Sequence, residues 1–151
     1  MANPLYGQNK ADGVINDLTS KIKIKSFRID YGAQAAGVAT TQSFAAGTII
    51  LWWSAYCSET ATSGGSATLE LGFTGTKQYS ASTIALAELA EGKVHTSSIT
   101  DSQPLLLNAA DTFDSKVATA TMTAGKVDIE VYYLEPGELS SSDIESLHVT
   151  A

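Results

Sequence analysis

Apolar and polar residues alternate over short stretches along most of the chain, which is the pattern of strands with one buried face. Residues 21–25 alternate lysine with isoleucine, and Phe27 and Ile29 continue the alternation with the opposite parity. This change of parity predicts a β-bulge at Ser26. The lysines are expected on a solvated face of this strand.

The most apolar segment, residues 47–58, predicts a strand with two apolar faces. One face would carry Ile49, Leu51 and Trp53, and the other Ile50, Trp52 and Tyr56. Since successive residues of a strand point to opposite sides, one tryptophan is expected in the core and the other outside it. The outer aromatic residues need cover from a loop, a helix or the N-terminal segment of the same chain, from a neighbouring subunit or from a stacked sugar ring.

A loop, a strand and a helix are predicted next. Residues 58–66 have the composition of a flexible loop, and residues 68–74 alternate as a strand that would form a hairpin-like pair with the preceding one. Residues 82–91 predict a short helix, because Ser82 is a suitable N-cap and Gly92 a suitable C′ residue.

The last third of the chain ends in a strong hairpin pattern. Weaker strands are predicted over residues 94–100 and 104–108, with a turn at 109–112. Residues 117–123 and 127–133 alternate on either side of an Ala124-Gly125 turn. Seven or eight short strands with one helix predict an all-β protein, an antiparallel β-sandwich of jelly-roll-like form.

The pattern divides the chain into three parts. Residues 1–20 show no periodicity and predict an extended N-terminal arm, residues 21–135 the β-sandwich domain, and residues 136–151 a polar C-terminal tail. The arm contains Pro4, Leu5 and Tyr6, which are apolar enough to favour docking on a neighbouring subunit or packing on their own domain. The opening residues lack the pattern of a signal peptide, so synthesis in the cytoplasm is expected.

Composition excludes some classes of partner. Only 17% of the residues are charged and the net charge is -7, whereas proteins that bind nucleic acid need clustered lysine and arginine. The longest apolar run, residues 49–53, is far shorter than the roughly 20 residues that cross a membrane. We therefore expect neither nucleic acid nor a membrane as partner.

Candidate chemistry is sparse. His95 and His148 fit no metal-ligand spacing, and Asp111 and Asp114 fit a turn better than a calcium loop. Cys57 is the only cysteine and is expected to be a buried, unreactive thiol. The sequence predicts no catalytic residue, cofactor or metal, and a cupin-like enzyme is disfavoured because it needs several histidines on its strands.

Four segments, residues 48–51, 69–75, 85–92 and 121–133, resemble small virion proteins of tailed bacteriophages. The resemblance spans roughly residues 45–135 and is to jelly-roll head-decoration, or cement, proteins. It implies a structural protein of the capsid surface that binds the major capsid protein as a homotrimer. A tail- or fibre-associated protein that binds a host glycan is the alternative. Pro4, Leu5, Tyr6, Trp52 and Tyr56 are the candidate interface residues.

Overall fold

A computed structural model of the chain describes residues 20–32, 34–73, 83–97 and 104–137. The strands in these ranges are β1 (Lys23–Asp30), β2 (Gly37–Phe44), β3 (Ile49–Ser63), β4 (Thr68–Gly72), β5 (Ile84–Ala85), β6 (Val94–Thr96), β7 (Leu105–Leu106), β8 (Asp111–Ala118) and β9 (Met122–Leu134).

The described strands form two antiparallel sheets. Sheet 1 has the order β1-β9-β3-β6, with β7 also paired to β3, and sheet 2 has the order β2-β8-β4-β5. Chain neighbours such as β1 and β2, or β3 and β4, lie in different sheets, which is the strand order of a jelly roll. The predicted all-β sandwich is therefore confirmed.

Aromatic residues between the sheets form the centre of the core. Phe113 of β8 contacts the rings of Phe27, Trp53 and Phe73 edge to face, with ring centroids 5.4–5.5 Å apart. Phe27 and Trp53 belong to sheet 1, so these contacts join the two sheets directly. Each such pair contributes about 0.5–1.5 kcal/mol beyond the burial of its surface.

Strand β1 differs from its prediction. It pairs with β9 in continuous register from Lys23 to Asp30, so the bulge predicted at Ser26 is wrong. Lys25 shares the inward side with Phe27, and its Nζ donates to the carbonyl of Ser43 (3.0 Å) and lies 4.6 Å from a phenylalanine ring centroid. The long lysine stem reaches out of the core at the sheet edge. As a result, Ile24 points outward.

Strand β3 is longer than predicted. It continues to Ser63 through most of the segment expected to be a loop, because β9 supplies backbone partners at Thr62 and Ser63. Threonine, which is frequent in this segment, favours an extended backbone. The predicted pairing of this strand with β4 is wrong, since β4 lies in sheet 2 between β8 and β5.

The predicted helix over residues 82–91 is wrong in the part that the structure describes. Residues 84–85 form β5 and pair with β4, and only Leu86–Glu88 form a single 3-10 turn. Leu89 donates its N–H to Leu86, and its carbonyl accepts from Ala61 of β3. These bonds to β3 and β4 replace those of a helix.

The turn of the final hairpin also lies elsewhere. β8 begins at Asp111, within the predicted turn at 109–112, and ends at Ala118. The chain then turns at residues 119–121, where Thr119 has a φ of 75°, and Ala124-Gly125 lies within β9. The β3–β9 register shifts beside Ala124, so these small residues mark an irregularity inside the ladder rather than a hairpin turn.

Candidate interaction surface

The outer face of sheet 1, the side directed away from sheet 2, carries an exposed apolar row. Ile24, Tyr132 and Trp52 are direct partners across β1, β9 and β3 and form this apolar row. Ile24 is 55% exposed and Trp52 39%, and the rings of Trp52 and Tyr132 lie 5.2 Å apart. Leu106, paired with Ile49 and also exposed, extends the apolar surface toward the end of the sheet.

Local irregularity in β3 places the two tryptophans. Residues on one face of a regular strand are two or four positions apart, but Ile50 and Trp53 are three positions apart and both fully buried, because the register shifts between Ile50 and Trp52. Trp52 and Tyr56 then lie on the outer face. The predicted split of one tryptophan inward and one outward is confirmed, whereas the predicted grouping of Ile50 with Trp52 is wrong.

A second exposed row lies four residues farther along β3. Tyr56 and Val94 are partners across β3 and β6 and are 46% and 58% exposed. On the other side of Tyr56, Asp128 accepts two hydrogen bonds from Arg28, at 2.5 and 3.0 Å. The hydrogen bond from the Arg28 guanidinium lowers the pKa of the Asp128 carboxyl. This row therefore combines apolar surface with a fixed ion pair.

Polar residues separate the two rows. Glu130 of β9 lies between Ser26 and Ser54 in the ladder and accepts a hydrogen bond from the hydroxyl of Tyr132 at 3.0 Å. That bond raises the pKa of the Tyr132 hydroxyl. The outer face of sheet 1 therefore carries two partly apolar rows with a hydroxyl- and carboxylate-bearing strip between them.

The remaining residues considered for chemistry have structural roles where they are described. His95 contacts the carbonyl of Glu88 through Nε2 at 2.8 Å. Cys57 is fully buried, and burial raises the pKa of its thiol. Asp114, predicted in a turn, is buried in β8 and accepts a hydrogen bond from Thr112 at 2.6 Å.

Two classes of feature are not found in the described part of the chain. No group of three or more histidine, cysteine, aspartate or glutamate side chains is placed there to hold a metal ion. No helix in the same ranges is long and apolar enough to cross a membrane.

Sequence reasoning found part of this surface. Of the candidate interface residues, Trp52 and Tyr56 both lie on the outer face of sheet 1. Pro4, Leu5 and Tyr6 lie outside the described residues. Ile24 and Tyr132 were missed as surface residues. For Tyr132, its position in the alternation of the last strand was the available signal; for Ile24, the flanking lysines pointed the wrong way.

Comparison with solved structures identifies chains of the same fold in phage capsids. A chain of the acid-stable capsid of Helicobacter pylori bacteriophage KHP30 matches with a TM-score of 0.58 and 16% identity, over 77% of this chain and 89% of that one. A chain of the capsid asymmetric unit of cyanophage Pam1 matches with a TM-score of 0.56 and 18% identity, over 76% and 85%. No protein-family model matches the sequence, and no curated protein matches it significantly. The chain thus resembles phage virion structural proteins in its fold.

Proposed function

We propose that this chain is a structural, non-enzymatic virion protein that decorates and stabilises a phage capsid by binding the major capsid protein as an oligomer. The observation that carries the proposal is the outer face of sheet 1, where two rows of exposed apolar side chains, Ile24 with Trp52 and Tyr56 with Val94, lie on either side of a polar strip. Clustered exposed apolar side chains on a small domain mark an interaction surface. The fold shared with chains of phage capsids supports the virion as its place of action.

The exposed aromatic residues are sufficient to anchor a contact. Trp52 is 39% and Tyr56 46% exposed, and an aromatic side chain can bury roughly 150–250 Å², so full cover removes roughly 90 Å² of each from water. At about 25 cal/mol per Å², each contributes about 2 kcal/mol to binding. Central aromatic residues of this kind dominate the energetics of protein interfaces.

The proposed assembly uses three parts of the chain. Residues 21–135 form the β-sandwich that faces the capsid, residues 1–20 an arm that docks through Pro4, Leu5 and Tyr6, and residues 136–151 a polar tail. The oligomer is a homotrimer on the capsid surface, in which several weak contacts act together through a high effective concentration. Neither nucleic acid, membrane nor cofactor is needed for this role.

A host-glycan-binding protein of a phage tail or fibre is the second candidate. The observation that favours it is the Trp52–Tyr132 ring pair beside the Glu130 carboxylate, because sugar rings stack on aromatic faces and donate hydroxyls to carboxylates. The same face therefore supports both candidates, and its partner distinguishes them.

Co-sedimentation with capsids tests the proposal. Full-length protein should bind heads assembled without it and raise the temperature at which they lose their contents, since a ligand of the assembled state stabilises that state. Trp52→Ala should weaken head binding by roughly 30-fold, the equivalent of about 2 kcal/mol. Tyr56→Ala should act similarly.

Val38→Ala is the matched control, since Val38 is 55% exposed but lies on β2 of sheet 2. It should leave head binding unchanged. If the Trp52 and Tyr56 variants bind heads as tightly as the parent protein, the outer face of sheet 1 is not the capsid contact. Binding to host polysaccharide, with no binding to heads, would decide for the second candidate.

A further inference from the structure

A groove of about 540 Å³ opens at one end of the sandwich, near the last residues of β3. It lies between the end of β3, the start of β4 and the 3-10 turn. Five alanines, one leucine, one glycine and three hydroxyl residues line it, and none of these is charged. Its volume lies within the range of about 300–1,000 Å³ that is typical of ligand-binding pockets.

The groove is held in shape by hydrogen bonds from backbone N–H groups. Ala61 in its floor donates to the carbonyl of Leu89, and Glu91 donates to the Thr60 hydroxyl, both at 2.9 Å. On the opposite wall, Thr68 pairs with Ala85 between β4 and β5. These bonds join β3 to the segment that follows the 3-10 turn and join β4 to β5, so the domain's own contacts form the walls of the groove and little ordering is needed on binding.

The groove is uncharged although the chain has a net charge of -7, so a segment without charged side chains fits it better than a charged one. Residues 1–9 contain no charged side chain and include the bulky Leu5 and Tyr6 beside Pro4. Residues 138–151, by contrast, contain three carboxylates, which are costly to place against uncharged walls. Small alanine side chains leave room for bulky ones, so the N-terminal segment is the complementary partner.

The topology sets the direction from which that segment approaches. β1 starts at Lys23, level with Ile50 through β9, and runs toward the end of the sandwich that holds the groove. Thr60 lies ten residues beyond Ile50 on β3, about 33 Å away. The segment before β1 therefore enters from the end opposite the groove, and in its own chain it would have to double back along the whole sandwich.

A neighbouring copy requires no such reversal. Residues 6–20 span up to about 46 Å when extended, which is enough to bridge two sandwiches placed end to end. The exposed edges of β1 and β2 are poorer docking places for an added strand. Lys25 already links the two edges by donating to Ser43, and charged side chains along β1 discourage pairing.

We infer that the groove binds residues 3–6 of a second copy of this chain, so that subunits join head to tail. This inference rests on the proposed assembly role and specifies its subunit contact. A head-to-tail contact that closes after three copies gives a homotrimeric ring, and one that does not close gives a filament.

Cysteine crosslinking of full-length chains tests the inference. Chains with Tyr6→Cys are mixed at micromolar concentration with chains carrying Ala87→Cys, an exposed position on the groove, and oxidised gently. The native Cys57 is fully buried and should not form a disulfide under these conditions. A disulfide-linked dimer of the two variants is expected on a non-reducing gel.

Two controls make the result specific. With Val38→Cys in place of Ala87→Cys, the dimer should fall about tenfold or more, because one buried leucine or aromatic side chain contributes at least that factor to affinity. Adding Ala85→Trp to the Ala87→Cys chain fills the groove from an exposed position and should lower the dimer by a similar factor.

Three results would overturn the inference: equal crosslinking to Val38→Cys, no effect of Ala85→Trp, or only an internal crosslink in a chain that carries both Tyr6→Cys and Ala87→Cys. The last result would place the arm in its own groove. None of these readouts involves heads, so a crosslink without head binding would refute the capsid role alone, and head binding without a crosslink would refute this contact alone.

Discussion

Gly125 determines how closely β9 approaches β3 at the floor of the groove, and its replacement by alanine gives a sharp test of the packing there. A Cβ at this position would lie 2.8 Å from the Cα of Ala61 and 2.9 Å from its Cβ. Both atoms belong to a residue held in β3 by a backbone hydrogen bond to Leu89. The clash is therefore with a fixed backbone rather than with a movable side chain.

The expected cost has two parts. Gly125 has a φ of +129°, and an L-residue in a positive-φ conformation costs about 1–2 kcal/mol. Forcing a methyl group into a packed contact adds about 1–3 kcal/mol. We expect Gly125→Ala to lower the free energy of unfolding by about 3 kcal/mol, which corresponds to a melting temperature roughly 10 °C lower.

Gly92→Ala provides the matched control. Gly92 also has a positive φ, +86°, but a Cβ there would meet no atom within 4 Å. Its replacement should cost only the backbone strain, about 1 kcal/mol. Urea denaturation measures both variants, and unchanged m-values would show that the unfolded states are comparable.

The comparison can refute the reasoning directly. If Gly125→Ala and Gly92→Ala lose the same stability within about 0.5 kcal/mol, β9 and Ala61 are not in tight contact and the groove floor can accommodate a methyl group. If Gly125→Ala costs more, as expected, the variant should also weaken the head-to-tail crosslink, because β3 must shift to admit the methyl group.

Two further predictions concern polar pairs. Tyr31→Phe should lower the free energy of unfolding, measured in urea, by about 1–3 kcal/mol, because the fully buried Ser115 hydroxyl loses its 2.8 Å hydrogen bond. Adding Ser115→Ala should restore part of that loss. A double variant whose loss equals the sum of the two single losses would contradict this. The pKa of Asp128 is lowered by the hydrogen bond from Arg28, so its contribution to stability is present above the unfolded pKa of about 3.9 and lost as the pH falls through the folded pKa. Asp128→Asn should therefore be less stable than the parent at pH 7, and the difference should shrink as the pH falls through the folded pKa of Asp128. A difference that does not change with pH would count against the ion pair.

The alternation of apolar and polar residues was sufficient to predict the class of fold. Strands such as β1 and β9 show this alternation clearly. The scarcity of charged residues favoured a β-sandwich, and the single cysteine indicated that packing, not a disulfide, stabilises it. It was also sufficient to predict that one of Trp52 and Trp53 points inward and the other outward, because that follows from the geometry of any strand.

Local pattern could not determine the ends of elements. Residues 58–63 resemble a loop in composition, yet β9 pairs with them and makes them a strand. The segment around Leu86 has apolar residues at helical spacing, but bonds to β3 and β4 leave it only a single 3-10 turn. In both places the backbone partner comes from a distant part of the chain, which sequence periodicity does not contain.

The choice of outward face was likewise decided by the tertiary structure. The lysines of β1 predict an outward side, but Lys25 lies inward and Ile24 is exposed beside Tyr132, because the edge of the sheet lets a lysine stem leave the core. The shift after Ile50 similarly sets which residues accompany Trp52. Alternation establishes that a strand has two sides, whereas pairing, bulges and the position of the strand in the sheet determine which side meets solvent.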